Sequence, residues 1–422
     1  MIPRYRVTAT LQAPLAIKRD RQSERSESAH SVGGTLVRGA LAALYLQQRG
    51  EPDDAFRRVF LDAEACRFGP LDPGPHVFPL SAATCKRHGM AHAVVDLLCF
   101  RVAQHWLGGA IPLGDESPWR QCARCGADLK PHAGFWRERD GELYEDKRGG
   151  HSVAAHVGID RETFTAAESI FYTLEAMHPA QETDEAAKGP DLEGWLEAGD
   201  DAKNTLCGLL ESEEHILYVG HHRTRGYGRL RFDIHGSVPP PEPAQVRDAW
   251  ETWSRALIDF LSQPPLRIAG LDPDRDFFFS LSFPNGAILL DELLRYSADP
   301  ATMAEWLAPC PDPGDGLRTP QRPGRQLPEG GTLRCMAAIT KQERVRGWNA
   351  AHGLPRQDEW GVVRGAVYAY WFQGSSHERD ALHQRLARLA AEGMGLRRNE
   401  GFGAVELSTG FHSRFCRQES AT

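Results

Sequence analysis

The 422-residue chain contains no run of roughly 18 apolar residues, so no segment is built to cross a bilayer as a single helix. Its start, "MIPRYRVTATLQAPLAI", lacks an apolar signal core with a cleavage site and reads instead as a first strand. There is no Gly-x-Ser-x-Gly elbow, no Walker phosphate loop and no His-Glu-x-x-His. The hydrolase, nucleotidase and peptidase chemistries that depend on those motifs are therefore set aside. A positive balance is also missing. The net charge is −8, which argues against a protein that coats nucleic acid non-specifically. Nine cysteines, an odd number, show no small-domain disulfide pattern. With no export signal, they point to a reducing cytoplasm and to metal binding by the closest pair.

What is present is an ordinary globular mixture, 41% hydrophobic and 25% charged, long enough for two or three domains. Charge is unevenly spread. Residues 1–50 hold eight Lys/Arg against three Asp/Glu, whereas 182–201 hold eight acids and one lysine, so a local basic groove remains open. Residues 4–17 alternate as a half-buried strand does, and a polar loop follows at 18–31. Next, "VGGTLVRGALAALYLQQRG" predicts a glycine turn opening a helix. Residues 62–150, rich in Gly, Pro, Cys and His, read as an irregular insertion, and 182–213 as acidic and helix-forming. "GSVPPPEPAQ" (236–245) is the best linker, because three successive prolines stop helix and sheet alike.

Beyond it, "VRDAWETWSRALIDFLSQ" has helical periodicity and "DFFFSLSFPNGAILL" predicts a hairpin with a Pro-Asn-Gly turn. "DELLRYSADPATMAEWLAPC" reads as partly helical, "TLRCMAAITKQ" and "RGAVYAYWF" as strands, and "ERDALHQRLARLAAEGM" as an amphipathic helix. The predicted domains are 1–240, with the insertion at about 62–150, and 241–422.

Two stretches resemble each other. "HHRTRGYGRLRF" (221–232) and "LRRNEGFGAVEL" (396–407) both carry arginines, a Gly-aromatic-Gly turn and then a strand, and each closes one half of the chain. The repeat points to a duplicated α+β domain with helices layered on an antiparallel sheet. Glycine allows positive φ and close backbone approach, exposed amides bind phosphate, arginines neutralise it, and an aromatic face stacks on a base. The candidate RNA-binding residues are His221, His222, Arg223, Arg225, Gly226, Tyr227 and Gly228 in the first loop. In the second they are Arg397, Arg398, Gly401, Phe402 and Gly403. The alternative is a pair of tight hairpins with Tyr227 and Phe402 packed inward. Gly33, Gly34 and Arg38, at the start of the first helix, offer a further phosphate site. Trp348 and Trp360, in "GWNAAHGLPRQDEWG", are either core anchors or residues that stack on a base or fill a pocket in a neighbouring subunit.

"CKRH" (85–88) and "CARC" (122–125) supply two short ligand pairs, Cys85 with His88 and Cys122 with Cys125. Such pairs fit a closed, structural zinc site. His92, Cys99 and His132 compete with His88 for the fourth position.

Several stretches resemble the RAMP superfamily of CRISPR effector subunits. They are "VGGTLVRGALA", "HVGIDRETFTAAESIFYTLEAM" (156–177) and the two glycine-rich loops. The resemblance implies two ferredoxin-like (RRM-type) domains. Within the superfamily, the two-domain length, "PLSAATCKRHG", the Cys-x-x-Cys and residues 346–372 look like the Csx-type subunit of type III-D complexes. That resemblance implies a non-catalytic cytoplasmic subunit binding the crRNA 5′ handle. Its partners would be the large signalling subunit and the backbone RAMP subunits. The acidic stretch 182–201 departs from an RNA groove and reads as solvated or partner-facing.

The rival reading is a ribonuclease. His151, His156, His221 and His222 are available for metal-independent acid–base cleavage. Asp20, with Glu24 and Glu27, lies in the polar loop where target-cleaving relatives hold their acidic residue. Asp160 in "GIDRE" is expected to pair with Arg161 or with a partner's arginine.

Overall fold

The computed structural model describes residues 2–18, 28–108, 120–139, 142–146, 150–179, 191–239, 242–264, 266–310, 324–349 and 352–415. Of residues 167–170 only the backbone is described. Asp20, Glu24, Glu27 and residues 182–190 lie outside the described residues.

The first half is organised around β1 (Arg4–Leu11), whose alternation of exposed and buried residues follows the sequence pattern. α1 (Gly34–Arg49) follows, burying Val37, Leu41 and Tyr45 at helical spacing. Its end is set by Gly50 at φ 88°, a conformation a side chain would oppose. The short α2 (Asp54–Phe60) is capped by Asp53, which accepts the Phe56 amide. Then come β2 (Cys66–Asp72), the third strand Leu192–Ala198, α4 (Asp200–Glu211) and the fourth strand Arg229–Val238. α3 (Leu97–Trp106) lies between β2 and the third strand. In the sheet the order is fourth–β1–third–β2, with Ile216–Tyr218 on the outer edge, and every pairing is antiparallel.

The second half repeats this order. Strands Asp276–Phe283, Thr332–Ile339, Ala366–Gln373 and Glu406–Leu407 pair antiparallel as second–third–first–fourth, with Arg325–Gln326 at the edge. α5 (Pro243–Ser262) lies before the first of these strands. α6 (Ser376–Glu392) precedes the fourth and is started by a capping box of Ser375 and Glu378. α7 (Gly410–Arg414) ends the described chain.

One element is missing from the repeat: among the described residues no α-helix lies between the first and second strands of this half. α3 packs on this second sheet. Its Leu98, Phe100, Val102 and Ala103 join the core of Phe277, Phe279, Leu333, Tyr370 and Phe372, although α3 lies in the insertion of the first half.

Several local expectations are corrected. The insertion is not irregular: after β2 it holds two small three-stranded sheets and α3. The linker is short, because the fourth strand runs to Val238 and α5 begins at Pro243. The chain does turn at Pro284-Asn285-Gly286, with Gly286 at φ 72°. Leu289–Leu290 then pairs with Tyr296–Ser297 instead of returning along Asp276–Phe283, whose two sides are already taken by other strands. Residues 291–310 form no α-helix: they hold the short strand Tyr296–Ser297 and a 3-10 turn at Pro300–Thr302. Within 182–213, Leu192–Ala198 is a strand, its acids Glu193 and Glu197 paired with arginines of neighbouring strands.

Candidate nucleic-acid interface and metal centre

The two glycine-rich loops fold alike. His222 and Arg397 take left-handed backbone angles (φ 59° and 57°), a 3-10 turn follows, and Gly226 and Gly401 close it at φ 87° and 84°. The amides of Gly228 and Gly403 donate to Pro14 and Gly286, and those of His221 and Leu396 to Ala16 and Ile288. Both loops therefore lie across the chain just after the first strand of their own half. The third residue of each 3-10 turn is Arg225 in one loop and Glu400 in the other.

That single position separates their surroundings. Glu400 is 4% exposed and takes hydrogen bonds from Arg38 (2.9 Å), Arg356 (2.9 Å), Arg397 (3.0 Å from Nε) and the Thr35 hydroxyl (2.7 Å). Burial alone would push its carboxyl up. The charges of Arg38 and Arg397, with hydrogen bonds from Arg397 and Thr35, outweigh burial and hold it at about 2. Arg397 also binds Glu359 at 2.6 Å, and Arg398 pairs with Glu64. Gly401 lies against the Phe68 carbonyl, and Gly34 against the carbonyls of Phe68 and Glu400. The second loop is thus seated on α1 and β2 of the first half. Arg38, Gly34, Arg397, Arg398 and Gly401, all expected at RNA, are engaged in holding the halves together. Phe402 lies under the Arg397 guanidinium at 5.2 Å.

The first loop faces outward. His221, Arg223, Arg225 and Gly226 are exposed, and no carboxylate partner of Arg223 or Arg225 is found among the described residues. Over this loop lies a two-stranded ribbon, His151–Ile159 paired with Ala166–Met177. Arg225 donates to the Tyr172 hydroxyl, and His156 stacks on Tyr172 at 5.1 Å. Tyr227 is half-buried against Ala16, Leu174 and Ala176, so part of its ring packs inward. Burial, Arg225 and His156 lower the pKa of His222, keeping it neutral more readily than a free imidazole.

The other ribbon face exposes Val153, Val157, Ile159 and Phe171, and the tip exposes Phe164 at φ 53°. Asp160 caps that tip by accepting the amides of Glu162 and Thr163, so it does not require the arginine expected of it. His151 sits at the ribbon root, 3.4 Å from Glu175 and with its ring tilted against that of His30, centroids 4.0 Å apart.

Trp348 and Trp360 are not core anchors. They are 50% and 44% exposed on a ribbon built by residues 342–345 and 359–362, which 348–349 and 354–355 extend. Arg344 lies over Trp360 at 5.5 Å.

In the insertion, Cys85, His92, Cys122 and Cys125 place one donor atom each within 4.8 Å of all the others. The Cys85 and Cys125 sulfurs are 3.6 Å apart, close to the roughly 3.8 Å that two thiolates span on tetrahedral zinc. His92 Nδ1 is buried without a hydrogen-bond partner among the described residues, as a ligand awaiting a metal is. Burial, His88 and Arg124 favour the neutral imidazole. Burial also pushes the Cys85 thiol up. Amides of His88 and Arg87 and the thiols of Cys125 and Cys122 outweigh it and bring the pKa below the usual value. The residues fit a closed Cys3His zinc site.

The fourth donor the fold brings to this cluster is His92, not His88. The His88 amide donates to Cys85 Sγ and its ring stacks on His92 at 3.9 Å, so it backs the site rather than completing it. Cys99 is disulfide-bonded and lies on α3, which removes it from the competition.

A constellation that no motif announced joins Asp96, His412 and Ser282. His412 Nδ1 is 2.7 Å from Asp96, and its Nε2 is 3.4 Å from Ser282 Oγ. The order resembles a catalytic triad, but the Asp96 and His412 side chains have no exposure and Trp253 lies beside the imidazole. Asp96 also caps α3 through the Leu98 amide. The group ties α7 to α3 inside the core and has no surface at which to meet a substrate.

Residues 34–231 match the RAMP superfamily. No curated protein matches the chain. Among solved structures, a chain of the type III-B Cmr-beta complex bound to cognate target RNA is similar. It is 10% identical over 92% of this chain and 93% of its own, with a TM-score of 0.37. Oligomeric Cmr4 from Pyrococcus furiosus is 12% identical over 57% of this chain and 100% of its own, with a TM-score of 0.23. The stretch similar to the RAMP superfamily, residues 34–231, covers just under half of the chain.

Proposed function

We propose that the chain is a non-catalytic RNA-binding subunit of a type III CRISPR effector ribonucleoprotein, working in the cytoplasm on two ferredoxin-like halves. The observation that carries this reading is the inverted use of two matching loops. The second loop buries a carboxylate among arginines inside the molecule. The first holds Arg225 at the same position and, with Arg223, His221 and His222, offers it outward. A phosphodiester backbone complements that surface, and Tyr227 and Tyr172 give it aromatic edges.

In this reading the loop and its ribbon hold the crRNA 5′ handle. The exposed Trp348 and Trp360 belong to a second contact, with RNA or with a neighbouring subunit. The large signalling subunit and the backbone RAMP subunits are the protein partners, consistent with the type III-D Csx-type resemblance of the sequence. Zinc in the Cys3His site cross-links the insertion and takes no part in chemistry.

A ribonuclease is the second reading. His156 and His222 lie near enough for one to depress the other, beside Tyr172 and Arg225, as an acid–base pair would. Incubating the purified chain with repeat RNA, with and without divalent metal, separates the two. Retention without cleavage is expected. Cleavage abolished by His156→Ala or His222→Ala would establish the second reading instead.

A further inference from the structure

We propose that Cys310 and Cys335 form a reversible disulfide, a redox site in the second half that staples the segment before residue 311 to the strand Thr332–Ile339. The two sulfurs are 3.6 Å apart, already in contact, and both thiols are free and buried. Neither belongs to the metal cluster.

The residues come from separate pieces of chain. Cys310 ends a segment that folds over the second core with Ala304, Leu307 and Ala308. It is fixed there by its own amide, which donates to Asp299 at 2.8 Å. Cys335 lies at an irregularity in the pairing of Thr332–Ile339 with Ala366–Gln373, where the register shifts before Ala337. A bulge of this kind re-aims a side chain, and here the two thiols meet.

Bridging them needs an oxidant, for which a peroxide suffices. One thiolate attacks a peroxide oxygen and breaks the O–O bond, giving a sulfenic acid and a hydroxide that takes up the proton the thiol released and leaves as water. The second thiolate then attacks that sulfur and expels hydroxide, which leaves as water. Two thiols are oxidised by two electrons, one S–S bond forms, and the peroxide is reduced to two waters. Burial holds the Cys310 thiol protonated, with Cys335 and Asp299 acting in the same direction, so the bridge forms only when the segment opens. In a reducing compartment the pair therefore stays open until an oxidant accumulates. The bridge closes a loop of roughly 25 residues, a length that restricts the unfolded chain and raises the melting temperature.

The test uses the full zinc-loaded chain, first reduced, then exposed to hydrogen peroxide or oxidised glutathione, alkylated and digested. A cross-linked peptide pair containing Cys310 and Cys335, about two hydrogens lighter and lost on reduction, is expected. The oxidised chain should melt about 5–10 °C higher than the reduced one. Cys335→Ser and Cys310→Ala should each abolish both effects. The proposal is overturned if both thiols remain alkylatable. It is equally overturned if they are recovered as separate oxyacids or paired with other cysteines, or if the bridged chain melts no higher.

Discussion

The loops at 220–228 and 395–403 share a backbone and differ in purpose. Glycines and left-handed residues at matching positions make the same turn twice. What the turn does is decided by one residue, Arg225 or Glu400. A carboxylate there finds Arg38, Arg356 and Arg397 and becomes an internal fastener. An arginine there finds, among the described residues, a tyrosine hydroxyl and no carboxylate, and stays exposed. The backbone of such a motif identifies a fold; its charged position identifies the use.

The two loops should part most strongly at Glu400. Glu400→Gln removes the buried carboxylate shared by Arg38, Arg356 and Arg397, leaving Arg397 its bond to Glu359, and should cost about 3–5 kcal/mol, read as a denaturation midpoint. Arg225→Gln, at the matching position, should leave that midpoint within about 0.5 kcal/mol. The pH dependence has a definite sign. The folded-state pKa of Glu400 is depressed from 4.5 to about 2, so its stabilisation is complete above the ordinary carboxylate range. That stabilisation, about 3 kcal/mol, is lost as the pH falls from about 4.5 towards 2. The loss should vanish in Glu400→Gln.

The glycines provide the next contrast. Both Gly226 and Gly401 have positive φ, so alanine at either should cost about 1–2 kcal/mol from the backbone alone. A Cβ on Gly226 meets nothing, whereas on Gly401 it comes within 2.6 Å of the Phe68 carbonyl. Gly401→Ala should therefore exceed Gly226→Ala by about 1–3 kcal/mol in stability. Equal costs would mean that the second loop is not seated on β2.

At the metal centre the two histidines of the insertion should also part. Elemental analysis is expected to find about one zinc per chain, released by Cys122→Ser and by His92→Ala but retained in His88→Ala. Retention in His92→Ala with loss in His88→Ala would reverse the assignment.

The smallest effects belong to RNA. Arg223→Ala and Arg225→Ala should each flatten the log–log salt dependence of repeat-RNA binding by roughly 0.7, with stability unchanged. Arg397→Ala should instead lower stability. Arginine variants of the first loop that bind RNA with unchanged affinity and salt slope would reduce that loop to a turn.

How much of this was legible depended on distance along the chain. The Gly-aromatic-Gly turns and the Cys-x-x-Cys are local chemistry, and the sequence located both. The likeness of the two turns was legible as well, because a turn geometry leaves its glycines in place. It could not tell the loops apart, since Arg38 and Glu400 are 362 residues apart in sequence and only the packed halves bring them together. His88 had the better spacing from Cys85, but the strand Gly89–Asp96 carries His92 back to the cysteines instead. The tryptophans of the second ribbon read equally well as core, because hydrophobicity does not record which side of a two-stranded ribbon is covered.

α3 carries a consequence for how the chain acquires its structure. The helix is synthesised with the first half, but the apolar face it buries belongs to a sheet whose strands begin at Asp276. During synthesis Leu98 and Val102 must wait for well over a hundred further residues before their partners exist. Contacts of that separation fold late and leave sticky surface exposed meanwhile. Residues 241–422 produced alone would carry the opposite defect, a sheet with one of its covering helices absent. Co-expression of the two pieces, rather than either by itself, is the arrangement in which a split form of this protein should be recovered in solution.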